Sequence, residues 1–270
     1  MKVFVTGATG LIGRALTKAL LEAGHSVVVL SRNAERAKTR MPEAVAIVEG
    51  DPMYGGKSWQ WAIGGCDAVI NLAGQGMADR RWNLHYKQSI HDSRVDTTRN
   101  VVEGIAALNE GERPGILLSC SGIDYYGFAE FEQFDDDEFD ESAPLGESFL
   151  SRLCRDWEME AKEASALGTR VVLMRTGVVL ADQGALPKMA APFRWHVGGR
   201  IGSGRQWLSW IHLDDVVGAY LFALENEIHG PLNLVAPDTR RNEEFCRALA
   251  TAMGRRSWFP APGFAVRWVA

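Results

Sequence analysis

The apolar positions in the first two thirds of the chain alternate between short continuous runs and longer stretches with helical spacing. The continuous runs predict buried strands at residues 2–7, 26–32, 44–51, 67–74, 115–122 and 170–180. The stretches with helical spacing predict helices over residues 11–23, 89–108 and 149–167. Near-continuous runs of Val, Ile and Leu are typical of parallel strands that are covered on both faces. The pattern therefore predicts an α/β fold, a Rossmann-type doubly wound parallel sheet.

The pattern changes after Leu180, and a glycine-rich segment follows at residues 198–212. A helix is predicted at residues 214–225, a strand at residues 230–236, and a last helix with Asn242 as its N-cap. We therefore expect a nucleotide-binding domain at residues 1–180 and a small C-terminal α/β substrate subdomain at residues 181–270. The alternative is that segments within residues 205–236 return to the main sheet as later crossover strands.

Composition and charge narrow the choice of partners. The net charge of −5 over 270 residues gives no basic surface for nucleic acid, and no apolar run reaches the roughly 20 residues of a membrane span. The four cysteines are widely scattered, which is typical of reduced thiols and predicts neither disulfides nor a metal site. The sequence predicts a cytoplasmic monomer or homodimer that acts on a small molecule.

A glycine triplet lies between the first predicted strand and the first predicted helix, in the segment TGATGLIG. Gly7 permits a tight turn, Gly10 lets the backbone approach a pyrophosphate, and Gly13 allows the helix to pack closely on the strand. The helix N-terminus then presents free N–H groups to the phosphates. Because the triplet follows a strand and opens an amphipathic helix, it predicts a dinucleotide site rather than merely a tight turn.

The end of the second predicted strand distinguishes NAD from NADP. An acidic residue at this point would bond the ribose 2′-hydroxyl and repel a 2′-phosphate. This chain has Ser31 and Arg32 instead, and an arginine can pair with a phosphate to which a serine also donates. The sequence therefore predicts NADP(H) as the cofactor, with an ordinary surface arginine as the alternative for Arg32.

Four motifs in order carry a family resemblance: TGATGLIG, Asp51 after the third strand, NLAG at residues 71–74, and SCSGIDYYG at residues 119–127. In these motifs the chain resembles the extended short-chain dehydrogenases of the NAD(P)-dependent epimerase/dehydratase superfamily. The segments RTGVVL and QWLSWIHLDD make it similar to one atypical branch, the YfcH-like epimerase family proteins. Members of that branch usually extend beyond a point like Ala270, so the resemblance implies truncation there.

The resemblance implies roles for the matched positions. The glycine-rich turn would hold the pyrophosphate, the end of strand two the 2′-phosphate, and the segment after strand four the cofactor ribose. An acidic residue after strand three would lie near the adenine, and the end of strand six near the nicotinamide. The implied cofactor residues are Gly7, Thr9, Gly10, Leu11, Ile12, Gly13, Ser31, Arg32, Asp51, Leu72, Ala73, Gly74 and Arg175. Ser121 matches the catalytic serine or threonine of the family.

The chain departs from the family where a catalytic tyrosine and lysine are expected four residues apart on one helix face. With Glu158 as the register mark, the tyrosine position holds Leu150 and the lysine position holds Cys154. Leucine has no proton to transfer, and cysteine cannot replace a fixed ammonium group. Proton transfer by this pair is therefore absent, which requires either a substitute or a different function.

Several other residues are candidates for the missing chemistry. Tyr125 and Tyr126 follow strand five and could face the nicotinamide, and for Tyr126 the alternative is packing within the turn. Histidine titrates close to neutral pH, which suits His212 to proton transfer, with a structural bond to a nearby carboxylate as the alternative. Arg94 could reach an anionic substrate and Trp210 could line its pocket; the alternatives are a surface charge and a core aromatic ring.

Two functions remain open from the sequence. The first is an NADP(H)-dependent oxidoreductase or epimerase-like enzyme that acts on an unknown small molecule. The second is a regulatory or scaffold protein that binds NADPH without turning it over, which the replacement of the tyrosine and lysine favours. Epimerisation of a sugar nucleotide is the least favoured, since that reaction usually depends on the missing tyrosine.

Overall fold

Strands and helices alternate along the chain in this computed structural model, which describes residues 1–56, 58–77, 79–127 and 136–259. The strands are β1 (Lys2–Thr6), β2 (Ser26–Ser31), β3 (Ala46–Glu49), β4 (Ala68–Asn71), β5 (Ile116–Gly122), β6 (Arg170–Thr176), β7 (Val178–Leu180), β8 (Trp207–Leu208), β9 (Trp210–His212), β10 (Gly230–Leu234) and β11 (Arg240–Arg241). The helices are α1 (Leu11–Glu22), α2 (Ala34–Lys38), α3 (Leu84–Ala106), α4 (Phe149–Lys162), α5 (Ala185–Arg194), α6 (Leu213–Glu225) and α7 (Asn242–Ala252). Short 3₁₀ turns occur at Ser58–Ile63, Glu110–Glu112, Ile123–Tyr126 and Glu163–Leu167.

Seven parallel strands form the main sheet in the order β10-β6-β5-β4-β1-β2-β3. The chain proceeds from β1 through β2 to β3 in one direction, and from β4 through β5 and β6 to β10 in the other. The strand order therefore reverses beside β1, where an open α/β sheet forms its ligand crevice at the carboxyl ends of the strands. This arrangement confirms the predicted Rossmann-type doubly wound parallel sheet.

Each face of the sheet is covered by its own hydrophobic core. Alternate residues of β1 point to opposite faces, as strand geometry requires. Val3 and Val5 belong to the core beneath α1 and α6, together with Leu16, while Phe4 belongs to the opposite core with Ile105 of α3. The four side chains named from β1 and α3 are completely buried, and burying such a side chain stabilises the fold by about 1.5–3 kcal/mol. This two-sided burial explains the near-continuous apolar runs of the sequence.

The predicted sixth strand is wrong in its extent, because it ends at Thr176 and a separate strand follows. Gly177 N–H still donates to Leu234 O at 3.0 Å, whereas Val178 N–H donates to Ser209 O at 2.9 Å. From that point β7 pairs in parallel with β9 instead of with the main sheet. A Cβ built on Gly177 would lie 2.8 Å from Ser209 O. The missing side chain therefore lets the chain leave the sheet at this position.

The later elements do not all form a separate unit after residue 180. Strand β10 extends the main sheet beside β6, and Tyr220 of α6 lies in the same core as α1. A smaller layer consists of α5, α7 and the β8–β11 pair, where Phe193 packs with Cys246 and Ala250. The last residues of the predicted subdomain, 260–270, lie outside the described residues.

Two predicted helix starts are corrected by the capping groups. Helix α3 begins five residues before the predicted Ser89, because the Asn83 side chain accepts a hydrogen bond from Tyr86 N at 2.7 Å and caps it. Asn242 is the first residue of α7 and not its N-cap, since its side chain accepts from Ile201 N at 2.8 Å. Within the described ranges, no helix is long and apolar enough to cross a membrane.

Candidate functional site

A cleft of about 330 Å³ opens at the carboxyl ends of β1, β2 and β4, where the strand order reverses. Seven of the residues with predicted cofactor contacts line it, namely Gly7, Thr9, Ser31, Arg32, Asp51, Ala73 and Gly74. Gly10 is the N-cap of α1, and Leu11, Ile12 and Gly13 form its first turn. The structure thus brings together predicted residues from four loops, whereas Leu72, Arg175 and the residues at the start of α1 do not line this cleft.

The glycine-rich turn is closely packed against backbone. Gly7 has φ +68°, and a Cβ built on it would lie 2.6 Å from the carbonyl carbon of Leu72. A Cβ on Gly13 would lie 2.4 Å from Gly7 O. The first turn of α1 contains no acidic residue, and its N–H groups have no intrahelical acceptors. The turn therefore leaves a backbone cradle with a positive helix end that suits a phosphate group.

Three arginines line the cleft beyond β2: Arg32, Arg36 and Arg40. Their side chains are exposed, and no hydrogen bond or ion pair to another described residue holds their guanidinium groups. Ser31 lines the cleft beside these arginines. Its hydroxyl donates a hydrogen bond to Asn33 O at 3.0 Å within the turn. Sequence reasoning identified only Arg32. The available signal was the regular recurrence of arginine after the second predicted strand, although only Arg36 lies within α2.

The two positions that replace the tyrosine and lysine lie on one face of α4. Ser148 caps this helix by accepting from Ser151 N at 3.0 Å. Leu150 packs among apolar side chains that include Met77 and Trp82. Cys154 is buried, and burial together with the nearby Asp124 charge raises the pKa of its thiol to about 12. At neutral pH neither position therefore offers an acid or a base.

A buried ion pair joins α4 to β6. Glu158 receives two hydrogen bonds from Arg175, Nε to Oε1 at 2.8 Å and Nη2 to Oε2 at 2.9 Å. The Ser121 hydroxyl also donates to Glu158 Oε1, at 2.8 Å. Both members of the pair are at most 3% exposed in their side chains. Although burial works to lower the pKa of Arg175, hydrogen bonds to Glu158 and to the Tyr126 hydroxyl raise it above the ordinary value.

Arg175 was expected beside the nicotinamide, and that role stays a prediction. The guanidinium is occupied by Glu158 within the protein and does not line the cleft. The Ser121 side chain is 3% exposed and is held by the same carboxylate. In this arrangement Ser121 orients Glu158, and its predicted catalytic role stays a prediction.

The two tyrosines after β5 are held by the same arginine. The Tyr125 ring lies over the Arg175 guanidinium, with 3.5 Å between the guanidinium carbon and the ring centroid. The Tyr126 hydroxyl accepts from Arg175 Nη1 at 2.9 Å and donates to Asn233 Oδ1 at 2.7 Å. The surroundings of Tyr126 therefore agree with the alternative that this residue packs within the turn.

His212 and Trp210 lie on β9, away from the cleft beyond β2. His212 is the N-cap of α6, where its Nδ1 accepts from Asp214 N at 3.2 Å, and about half of its side chain is exposed. The Trp210 indole donates to Asp238 O at 3.1 Å. Both side chains have structural partners, and the structure does not bring them against the three arginines.

Arg94 lies next to Gly74, and its charge interacts with that of Asp124. Arg94 is buried, and a Cβ built on Gly74 would lie 3.2 Å from its guanidinium carbon. Its Nη1 donates to Ile90 O at 3.1 Å, while its buried Nε has no hydrogen-bond partner. Burial lowers the pKa of Arg94, and the nearby cysteines and Asp124 act against that shift. Sequence reasoning missed Asp124, and the only available signal was an acidic residue in the turn after β5.

Comparisons with known proteins agree with this architecture. The sequence profile of the NAD dependent epimerase/dehydratase family matches residues 3–234. The chain belongs to that family. Its relatives include epimerase family protein YfhF of Bacillus subtilis, 37% identical over 98% of this chain and 84% of that protein. The epimerase family protein SDR39U1 homologue of Arabidopsis thaliana, described as chloroplastic, is 38% identical over 99% of this chain and 75% of that protein.

One solved structure is closely similar to the structure of this chain. The crystal structure of human epimerase family protein SDR39U1 (isoform 2) with NADPH has a TM-score of 0.80 and 35% sequence identity. The match covers all of this chain and 85% of the human one. Among the described residues, no group of three or more His, Cys, Asp or Glu side chains could hold a metal ion.

Proposed function

We propose that this chain binds NADP(H), with the 2′-phosphate at Arg32, Arg36 and Arg40. The observation that carries the proposal is the group of three arginines without internal partners at the end of β2. Hydrogen bonds between arginine and phosphate are charge-assisted and often bidentate, which suits a dianionic group at this point. The NADPH in the crystal structure of the human relative supports the same choice of cofactor.

The residues that are present fit the rest of the dinucleotide. A side chain on Gly7 or Gly13 would collide with backbone, so the turn needs glycine to form the cradle at the α1 N-terminus. Asp51, Ala73 and Gly74 line the same cleft; in the proposed binding mode Asp51 would face the adenine, and Ala73 and Gly74 would lie toward the nicotinamide. When bound, the nicotinamide supplies or accepts a hydride, and the protein supplies binding, orientation and electrostatics.

We propose further that the chain is an oxidoreductase or epimerase-like enzyme acting on a small carbonyl or alcohol compound. The buried Arg94 guanidinium with its unpartnered Nε supports this, because it offers a hydrogen-bond donor beside the predicted nicotinamide end. The second candidate, an NADPH-dependent regulatory or scaffold protein, is favoured by the occupation of the α4 positions by Leu150 and Cys154. The two candidates share the cofactor and differ in turnover.

Removing one of the arginines tests the cofactor assignment. We expect Arg36→Ala and Arg40→Ala each to weaken NADPH binding by about 10- to 100-fold, the equivalent of ~1.5–3 kcal/mol for a charge-assisted hydrogen bond. Binding of NADH, which lacks the 2′-phosphate, should change less than about twofold. Calorimetric titration with both dinucleotides measures this. Lys38→Ala is the matched control, because Lys38 is on the same short helix, pairs with Glu35 and does not line the cleft.

Equal losses of NADPH and NADH affinity in the arginine variants would contradict the 2′-phosphate assignment. Turnover is measured separately, by incubating the protein with NADPH and a panel of aldehydes, ketones and quinones. Oxidation of NADPH by a panel member supports the enzyme. Tight NADPH binding without any turnover, together with partner binding that depends on NADPH, would favour the regulatory candidate.

A further inference from the structure

The proposed function requires a group that exchanges a proton with the substrate, and the positions of the family's tyrosine and lysine do not supply it. Leu150 cannot exchange a proton, and the raised pKa keeps the Cys154 thiol neutral. The Tyr126 hydroxyl is bonded to Arg175 and Asn233. His212 caps α6 and is not brought against the cleft.

Asp124 lies in the turn after β5, close to Cys154 of α4. It follows Gly122, the last residue of β5, and β5 is the neighbour of β4 at the carboxyl edge of the sheet. Gly74, which follows β4, lines the cleft. A dinucleotide that crosses this edge from the three arginines reaches the end of β5 with its nicotinamide. Asp124 is therefore next to the expected position of the reacting ring.

Hydrogen bonds fix the turn that carries Asp124, while its side-chain carboxyl has no partner from another described side chain. Its backbone carbonyl accepts from Gly127 N at 3.0 Å and from the Ser151 hydroxyl at 2.8 Å, which fixes the turn. A Cβ built on Gly122 would lie 3.1 Å from Asp124 Oδ2 and 3.5 Å from Cys154 Sγ. In the described part of the chain, no other side chain donates a hydrogen bond to this carboxyl and no cation forms an ion pair with it within 4.0 Å.

Arg94 completes the arrangement from α3. Its charge acts on Asp124, yet the two groups form no direct ion pair, and Arg94 Nε is buried without an acceptor. A buried polar group without a partner is destabilising, so a ligand oxygen that accepts from Arg94 would remove that penalty. An oxygen between Arg94 and Asp124 would receive a hydrogen bond from each side.

We infer that Asp124 exchanges the proton with the substrate in place of the family's tyrosine, while Arg94 binds the reacting oxygen; this inference rests on the proposed oxidoreductase function. In reduction, the substrate's carbonyl carbon gains the hydride from the dinucleotide and its oxygen gains the Asp124 proton. The carboxyl O–H bond breaks, the C=O bond becomes a C–O single bond, and the carboxylate regains a proton from water. Oxidation of an alcohol follows the reverse course, with the carboxylate as the base.

The surroundings of Asp124 act on the pKa of its carboxyl in opposite directions. Burial raises the pKa of the carboxyl above the ordinary value, and its own backbone N–H and the Arg94 charge oppose this shift without cancelling it. From α4 the facing groups are the neutral Cys154 thiol and, one turn further, Glu158, whose charge is matched by Arg175. Reduction should therefore slow as the pH rises through the Asp124 pKa, and oxidation should accelerate over the same range.

The test compares Asp124→Asn with Asp67→Asn, whose carboxylate accepts from Lys2 N at the opposite, amino edge of the sheet. With the most reactive carbonyl of the panel and NADPH, we expect Asp124→Asn to lower turnover by about 10²–10⁴-fold. Its NADPH affinity should stay within about twofold of the parent protein, and the pH dependence of the reduction rate should disappear. The control variant should keep both the rate and its pH profile.

A second measurement does not depend on how the variant folds. Carbon-13 NMR of the parent protein, labelled at the aspartate carboxyls, should show Asp124 titrating above the range of an ordinary aspartate. Turnover of Asp124→Asn at the parental rate, or an Asp124 carboxyl that titrates at or below the ordinary range, would overturn the inference and leave the proposed function standing. Failure of the parent protein to bind NADPH or to turn over any panel member would instead contradict the proposed function, and the inference with it.

Discussion

Gly7→Ala is expected to abolish measurable NADPH binding and to destabilise the protein by about 2–6 kcal/mol. The residue has φ +68°, and a non-glycine residue held in an unfavourable backbone conformation costs ~1–3 kcal/mol. The new Cβ would also lie 2.6 Å from Leu72 C and 2.7 Å from Ala73 N, both of which are backbone atoms of the next loop. Overpacking of this kind costs a further ~1–3 kcal/mol. Relief of the clash would displace the loop that lines the cleft.

Gly218→Ala is the matched control for this prediction. Gly218 is exposed on α6, and a Cβ built on it would meet no atom within 4 Å. Alanine is favoured over glycine in a helix by up to about 1 kcal/mol, so this variant should be as stable as the parent protein or slightly more stable. Urea unfolding gives the free energies, and calorimetry gives the NADPH affinity. If Gly7→Ala behaved like its control, the cradle would not depend on glycine at this position.

Glu158→Gln is expected to destabilise the protein by about 3–5 kcal/mol, the cost of leaving one member of a buried ion pair without its partner. The change keeps the size of the side chain but removes the charge that faces Arg175. The Arg175 guanidinium, which is 3% exposed in its side chain, would then remain as an uncompensated buried cation. The Ser121 hydroxyl and the Tyr126 turn depend on the same pair, so the end of β5 should also loosen.

The control on the same helix is Glu160→Gln. Glu160 pairs with Arg99 at 2.6 Å, but this pair lies at the surface, where such an interaction contributes about 0–1 kcal/mol. Urea unfolding of both variants should therefore separate them by at least about 2 kcal/mol. Similar losses in the two variants would mean that the Glu158–Arg175 pair does not hold α4 against β6.

The parts of the site that could be predicted from the sequence are those encoded over a few residues. The glycine triplet, the residues at the end of β2 and the turn after β4 each follow a recognisable strand, and the structure brings them to one cleft. Arg36 and Arg40 could have been found in the same way, from their spacing after Arg32. Local signals were sufficient here because every parallel strand ends at the same edge of the sheet.

The remaining features depend on contacts between distant elements. The sequence around Glu158 predicts a helix, and the sequence around Arg175 predicts the end of a strand. Neither local pattern indicates that the two residues form a buried ion pair. The break at Gly177 likewise depends on Ser209, which comes from another segment. Asp124 lies in the same turn as two tyrosines, and in the sequence nothing distinguishes it from an ordinary turn residue. Its distinct position appears only when Arg94 and Cys154 are placed around it.

A crystal structure of the protein grown with NADPH would show directly where the 2′-phosphate binds. We predict that the 2′-phosphate oxygens lie within about 3.2 Å of guanidinium nitrogens from the group Arg32, Arg36 and Arg40. The pyrophosphate should rest on the N–H groups at the start of α1, and the nicotinamide should lie at the end of β5 beside Asp124. A bound NADPH whose 2′-phosphate points into solvent, away from all three arginines, would contradict the account.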